Sequence, residues 1–185
     1  MGDKFSKLKT KFLGKKVFHL LFAGYEGSGK TSILNQLKYL EIKKTEPTIG
    51  YNIESIDYRG LSFVIWDAGG QDKIRVLWKH YYQNIDGLIY VINCNERDYI
   101  EDNIEEIRKM LCEEVLEGCP LLVWANKQDE KNAFPPDELK DKIGEIKGRE
   151  FNVIGASAMT GEGIKEGFDW LVDTLLEKNK KIKKK

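Results

Sequence analysis

Residues 24–31 read GYEGSGKT and fit the pattern G-x-x-x-x-G-K-[ST] from Gly24 through Gly29, Lys30 and Thr31. Glycines at this density let a backbone wrap tightly enough to turn several N–H groups inward, which a chain of phosphates requires. Lys30 supplies a point charge for the outer phosphates, and the Thr31 hydroxyl a hard oxygen suited to Mg2+. Glu26, Gly27, Ser28 and Ser32 are the neighbouring candidate contacts. The motif is short, so its flanks decide. Upstream, VFHLLFA (17–23) is a nearly continuous apolar run of buried-strand length; downstream, SILNQLKYL (32–40) sets Ile33, Leu34, Leu37 and Leu40 at helical spacing. A helix following the loop points its dipole at the anion.

The rest of the chain supplies matching parts in order. Thr48, in EPTIGYN (46–52), is a second hydroxyl able to complete the metal shell when a γ-phosphate is present. Residues 51–58 and 61–67 read as two strands of a hairpin joined by Arg59-Gly60. The second strand ends in Asp67, placed to hold a Mg2+-bound water. In WDAGGQDKIR (66–75), Gly70 can bring a backbone N–H to the γ-phosphate, and Gln71, a neutral amide that donates and accepts, suits an attacking water. A short helix is expected over 72–84, strands over 87–93 and 120–125, and a helix over 98–116 with Ile100, Ile104, Ile107, Leu111 and Val115 inward. Asn126-Lys127-Gln128-Asp129 then stands at a strand end. The Asp129 carboxylate can accept from N1–H and the 2-amino group of guanine together, a pair adenine lacks. Lys127 can lie along the base, and Asn126 can tie this loop to the phosphate loop. A helix (136–143), a strand (151–155) and a helix (162–178) close the chain, and between the last two the backbone of Ser157-Ala158, that of Ala158 above all, can meet guanine O6. Alternating strands and helices predict an α/β fold, a mostly parallel doubly wound sheet with the ligand loops at the carboxyl ends of its strands.

With 185 residues, 41% of them hydrophobic, the chain is one domain able to bury on the order of 70% of its unfolded surface. Cys94, Cys112 and Cys119 lack metal-ligand spacing and suit a reducing compartment. The net charge of zero conceals an asymmetry: residues 1–16 carry +5 and residues 178–185 carry +6, which leaves −11 for the body between. Two basic tails on an acidic body do not make a nucleic-acid surface. The start, MGDKFS, fits the pattern for myristoylation of Gly2. Phe5, Leu8, Phe12 and Leu13 then share one helical arc beside Lys4, Lys7, Lys11 and Lys15, an amphipathic segment suited to an anionic membrane surface. One acyl chain anchors only marginally, and each lysine near an anionic leaflet adds about 1 kcal/mol.

PTIGYN, WDAGGQDKIR, LWKHYY, ANKQD and GFDWL, with Gly2 before an amphipathic segment, resemble the ADP-ribosylation factor (Arf) family of small GTPases over nearly the whole chain. The resemblance implies the three-layer P-loop small GTPase fold, with a mostly parallel six-stranded sheet and one antiparallel edge strand. It implies an N-terminal segment (1–16), a GTPase domain (17–178) and a basic tail (179–185). It implies GTP, GDP and Mg2+ as ligands, slow hydrolysis, and a monomer that cycles from the cytosol to Golgi or endosomal membranes in vesicle and protein transport. In the family the hairpin slides and fills the seat of the N-terminal helix, and an aromatic trio matching Tyr51, Trp66 and Tyr81 reads effector or coat proteins. An exchange factor and a GTPase-activating protein supplying an arginine are implied too, because the family's first switch segment, near 41–50, holds lysines and no arginine placed to act in cis. Glu26, Gly27 and Ser28 stand where the family usually has Asp and two small apolar residues. Two rivals are a guanine-nucleotide-gated scaffold or cargo carrier with incidental hydrolysis, and a phosphate-loop kinase, which would prefer ATP and show an arginine-rich lid.

Overall fold

The computed structural model describes residues 16–39, 52–67, 79 and 82–182. Among the described residues six strands and four helices follow in the order β1 (Val17–Ala23), α1 (Lys30–Tyr39), β2 (Asn52–Tyr58), β3 (Leu61–Asp67), β4 (Gly87–Asn93), α2 (Ile100–Leu111), β5 (Leu121–Asn126), α3 (Pro136–Ile143), β6 (Phe151–Gly155) and α4 (Ile164–Ile182). The sheet order is β2-β3-β1-β4-β5-β6, and every pairing is parallel except that of β2 with β3. The expected doubly wound sheet with one antiparallel edge strand is the observed one.

The central strands are apolar almost without interruption because both faces of the sheet are covered. On one face Leu21, Tyr90 and Val123 pack with Ile100, Ile104, Ile107 and Met110 of α2 and Leu139 and Ile143 of α3. On the other, Phe22, Val91 and Trp124 pack with Ile33, Leu34 and Leu37 of α1 and Phe168, Leu171, Val172 and Leu175 of α4. Parallel strands with right-handed crossovers bring their carboxyl ends to one edge, so the loops after β1, β3, β5 and β6 share one rim.

Three elements differ from expectation. The helix expected over 98–116 ends at Leu111, and a separate 3-10 turn covers Glu114–Leu116. The break shifts the phase, so Leu116 is buried while Val115 is exposed and Leu111 is only half-buried. α1 begins at Lys30 rather than 32, which puts both Lys30 and Thr31 in its first turn. α4 runs on to Ile182, past the 178 expected. Of the helix expected over 72–84 only 79 and 82–84 are among the described residues, and 83–84 form a turn there; residues 1–15 of the N-terminal segment lie outside them.

Candidate nucleotide site

The phosphate loop is fixed from beneath. At Gly24 (φ 140°) a Cβ would stand 2.3 Å from the Val91 carbonyl oxygen, and at Gly29 (φ 94°) one would stand 2.3 Å from Asn126 Nδ2, so neither position admits a side chain. Lys30 lies inside the loop, 7% exposed, and its Nζ donates to the carbonyls of Gly24 (2.8 Å) and Tyr25 (2.9 Å). An ammonium has three donors, which leaves one for an anion. Burial pulls the Lys30 pKa down, while the charges of Asp67 and Glu26 push it back up. Glu26 and Gly27 are exposed, and Thr31 and Ser32 are exposed on the first turn of α1.

The loops come together through two side chains. The Thr31 hydroxyl donates to Asp67 Oδ2 at 3.1 Å, which brings the end of β3 against the start of α1. Asn126, 1% exposed at the end of β5, donates from Nδ2 to the Ser28 carbonyl at 2.7 Å and accepts at Oδ1 from the Ala158 N–H at 3.0 Å. One amide therefore ties the phosphate loop to both loops expected to read the base. The Ala158 N–H, the one expected at guanine O6, thus also serves the Asn126 side chain. Gln36 of α1 braces the same loop, donating to the Ala158 carbonyl at 3.1 Å across 122 residues of sequence. The Ser157 hydroxyl accepts from the Thr160 N–H at 3.1 Å and so shapes its own turn. Lys127 adopts φ 68°, a left-handed conformation that costs a residue with a side chain on the order of 1 kcal/mol or more. That turn leaves Lys127 half-buried and Asp129 exposed at the rim, while Gln128 donates from Nε2 to the Phe134 carbonyl at 3.1 Å.

No local pattern announces Gln36, which acts across 122 residues of sequence, whereas Gln128 and the left-handed Lys127 backbone shape the loop they stand in. Trp66 is half-buried against the α2 side of the core. Gly2, Thr48, Tyr51, Gly70, Gln71 and Tyr81 lie outside the described residues.

A model of the ADP-ribosylation factor family matches residues 3–175. This chain belongs to that family. Among solved structures, the Arl6 BBS3 small GTPase from Trypanosoma brucei with bound nucleotide analogue GppNp is similar to this Arf-family chain at 31% identity and a TM-score of 0.78. The match covers 88% of this chain and 99% of that one. As an Arf-family small GTPase the protein binds GTP and GDP with Mg2+ and hydrolyses GTP, and works as a GTP-binding switch with regulators and effectors.

The Arf-family nucleotide suits the residues present. The Ser28 hydroxyl, buried in the phosphate loop, has no hydrogen-bond partner among the described residues, and the loop around it is a cradle that a Cβ at Gly24 or Gly29 would fill. Among the described residues no cluster of three His, Cys, Asp or Glu side chains forms a cage for a metal. Mg2+ asks for none, since it is held by one or two protein oxygens together with phosphates and waters.

Proposed function

We propose that this protein is a membrane-recruited switch of the Arf type, in which the GTP state exposes an acylated, amphipathic N-terminal segment and binds effectors or coat proteins in vesicle traffic. The observation that carries this reading is the contact between Thr31 and Asp67. Thr31 opens the helix behind the phosphates and Asp67 closes the hairpin, so a metal shared by both links the nucleotide to the strand pair. In this reading Gly24 to Ser32 hold the phosphates, with Gly70 at the γ-phosphate. Thr31, Thr48 and a water on Asp67 complete Mg2+, which neutralises charge on the phosphates. Asn126, Lys127, Asp129, Ser157 and Ala158 hold guanine, and Tyr51, Trp66 and Tyr81 face effectors. Gln71 orients the attacking water, and a GTPase-activating partner supplies an arginine worth roughly 10³ to 10⁵ in rate. An exchange factor reopens the site. Gly2 carries the acyl chain, the basic segments add attraction to anionic lipid, and the destination is Golgi or endosomal membrane. Among the described residues no helix is long and apolar enough to cross a membrane, so attachment to the surface is the mode proposed.

Flotation with anionic vesicles tests it, using Gly2-acylated protein loaded with GDP or a non-hydrolysable GTP analogue. Flotation of the GTP form alone supports the reading. Equal flotation of both forms would make the lysines a constitutive anchor, and flotation of neither would leave a switch read only by proteins. Single-turnover hydrolysis adds a second arm: equal rates for the parent and Gln71→Leu would leave a nucleotide-gated scaffold with incidental hydrolysis.

A further inference from the structure

The β2–β3 hairpin is fastened at both ends. At one end Asp67 accepts from Thr31 at 3.1 Å. At the other, the turn lies against α4. Tyr58 Oη donates to Asp169 Oδ1 at 2.9 Å, Arg59 Nη1 reaches the same oxygen at 3.3 Å, and Nη2 reaches Asp173 Oδ1 at 2.8 Å. Lys165 holds the other Asp169 oxygen at 2.6 Å. Residues 165, 169 and 173 recur every four positions and so share one face of α4. The backbone singles out the same turn. A two-residue hairpin turn with positive φ at both central positions favours Asn-Gly. In this protein the pair is Arg59 (φ 50°) and Gly60 (φ 74°), so a long side chain sits where Asn would be less strained. Its guanidinium is spent on two carboxylates of α4.

The register of β3 decides where Asp67 stands. β3 pairs with β1 from Val17↔Ser62 to Phe22↔Asp67, and β2 is the edge of the sheet, so among the described residues β1 is the strand that aligns the hairpin with the rest of the sheet. Side chains alternate with period two, so a slip of two residues returns every side chain to its own face. That slip would carry Asp67 about 6.6 Å along the strand, out of reach of Thr31. Alternation alone therefore does not select this register, and contacts to elements outside the sheet must. Lys38 of α1, paired with Glu54 of β2 at 2.7 Å, is one, through a long flexible side chain. Tyr58 and Phe63 also pack on Phe168 of α4, with ring centroids 5.2 and 5.1 Å away. The polar grip of the turn on α4 adds three directional contacts.

We infer that Tyr58 and Arg59, by holding Asp169 and Asp173, form a register latch that positions Asp67 at the metal and sets how tightly Mg2+, and with it the GTP form, is retained. The inference rests on the assignment of Thr31 and Asp67 to Mg2+ above. The four are positioning residues, at the opposite end of β3 from the nucleotide.

The test is dissociation of a fluorescent non-hydrolysable GTP analogue from the full-length protein, followed across a Mg2+ titration. In Arg59→Asn and in Asp169→Asn the half-effective Mg2+ concentration should rise about two- to tenfold, the worth of one or two exposed charge-assisted contacts. Because Asn suits the turn, Arg59→Asn should leave Tm unchanged or raise it. The charge swap Arg59→Asp with Asp173→Arg should return the curve toward the parent. Unchanged curves in both variants, a shift seen only together with a lower Tm, or a swap that restores nothing would each overturn the latch. A parent protein indifferent to Mg2+ would remove the metal assignment and the latch together. Flat variants beside a responsive parent would remove the latch alone.

Discussion

Asn126→Ala is the sharpest probe of how the loops are held. The Asn126 side chain is buried, and its amide satisfies the Ser28 carbonyl and the Ala158 N–H at once. Deleting it strands both groups, each at about 1–3 kcal/mol, so the loss is about 2–6 kcal/mol before water enters and nearer the lower end after it. For a domain of this size each kcal/mol moves Tm by about 2–4 °C, so a loss of about 3 kcal/mol should lower it by roughly 6–12 °C. In the proposed reading the loops that part hold opposite ends of the nucleotide, so the off-rate of fluorescent GDP should rise tenfold or more if about 1.4 kcal/mol of the loss falls on the complex. Asn126→Asp is the companion. It keeps an acceptor for Ala158 but turns a carboxylate oxygen toward the Ser28 carbonyl in a buried place, and should do at least as much harm as Ala. Thermal unfolding with excess GDP and Mg2+, alongside the off-rate, reads both. A Tm within about 2 °C of the parent, with an unchanged off-rate, would mean that Asn126 is not a clamp and would refute the reasoning.

Three further outcomes are expected. Gly29→Ala places a Cβ 2.3 Å from Asn126 Nδ2 at a φ of +94°, so GDP retention on a filter should fall at least about tenfold, and parental retention would mean the loop yields easily. Asp129→Asn exchanges an acceptor for an amide that can also donate, so in competition assays preference should move from guanine toward xanthine nucleotides; unaltered preference would take Asp129 out of base reading. At pH 8 a thiol reagent should label Cys112, which is exposed, and spare Cys94 and Cys119 until the protein unfolds, so three fast thiols would contradict the fold. Burial pushes the Cys94 thiol up to about 12 from its ordinary 9.0. The folded state thus disfavours the thiolate, and the stability this group contributes is intact below pH 9 and drains away as pH rises toward 12.

The strands and three of the four helices were legible because their signals are local. A strand buried on both faces must be apolar along nearly its whole length, and β1, β4 and β5 are, apart from His19 and the Asn93 and Asn126 that end β4 and β5. The phosphate loop was legible for a related reason, since its chemistry needs particular residue types in one short stretch. The helix after β4 misled because its apolar spacing continues past Leu111 as if unbroken. A 3-10 turn costs almost nothing in sequence, yet it rotates the residues within it relative to the helix, so Leu116 goes inward and Val115 outward.

What the sequence hid lies in contacts between distant residues. That Asn126 ties its loop to the phosphate loop follows from its motif; that its other atom takes the Ala158 N–H does not, because this depends on how close β5 and β6 bring the two loops. That N–H can serve Asn126 and a guanine O6 together only as a shared, weaker donor. In the function proposed above, base selection therefore leans on Asp129, whose exposed carboxylate sits beyond a left-handed Lys127. Gln36, 122 residues from its partner, and Arg59, 110 from one of its own, had no neighbours in sequence to betray them. The residues that recognise the nucleotide are thus written in short motifs. Those that hold the motifs at working distance are written in the packing of α1 and α4 against the sheet, and substitutions there should alter nucleotide exchange without touching any signature residue.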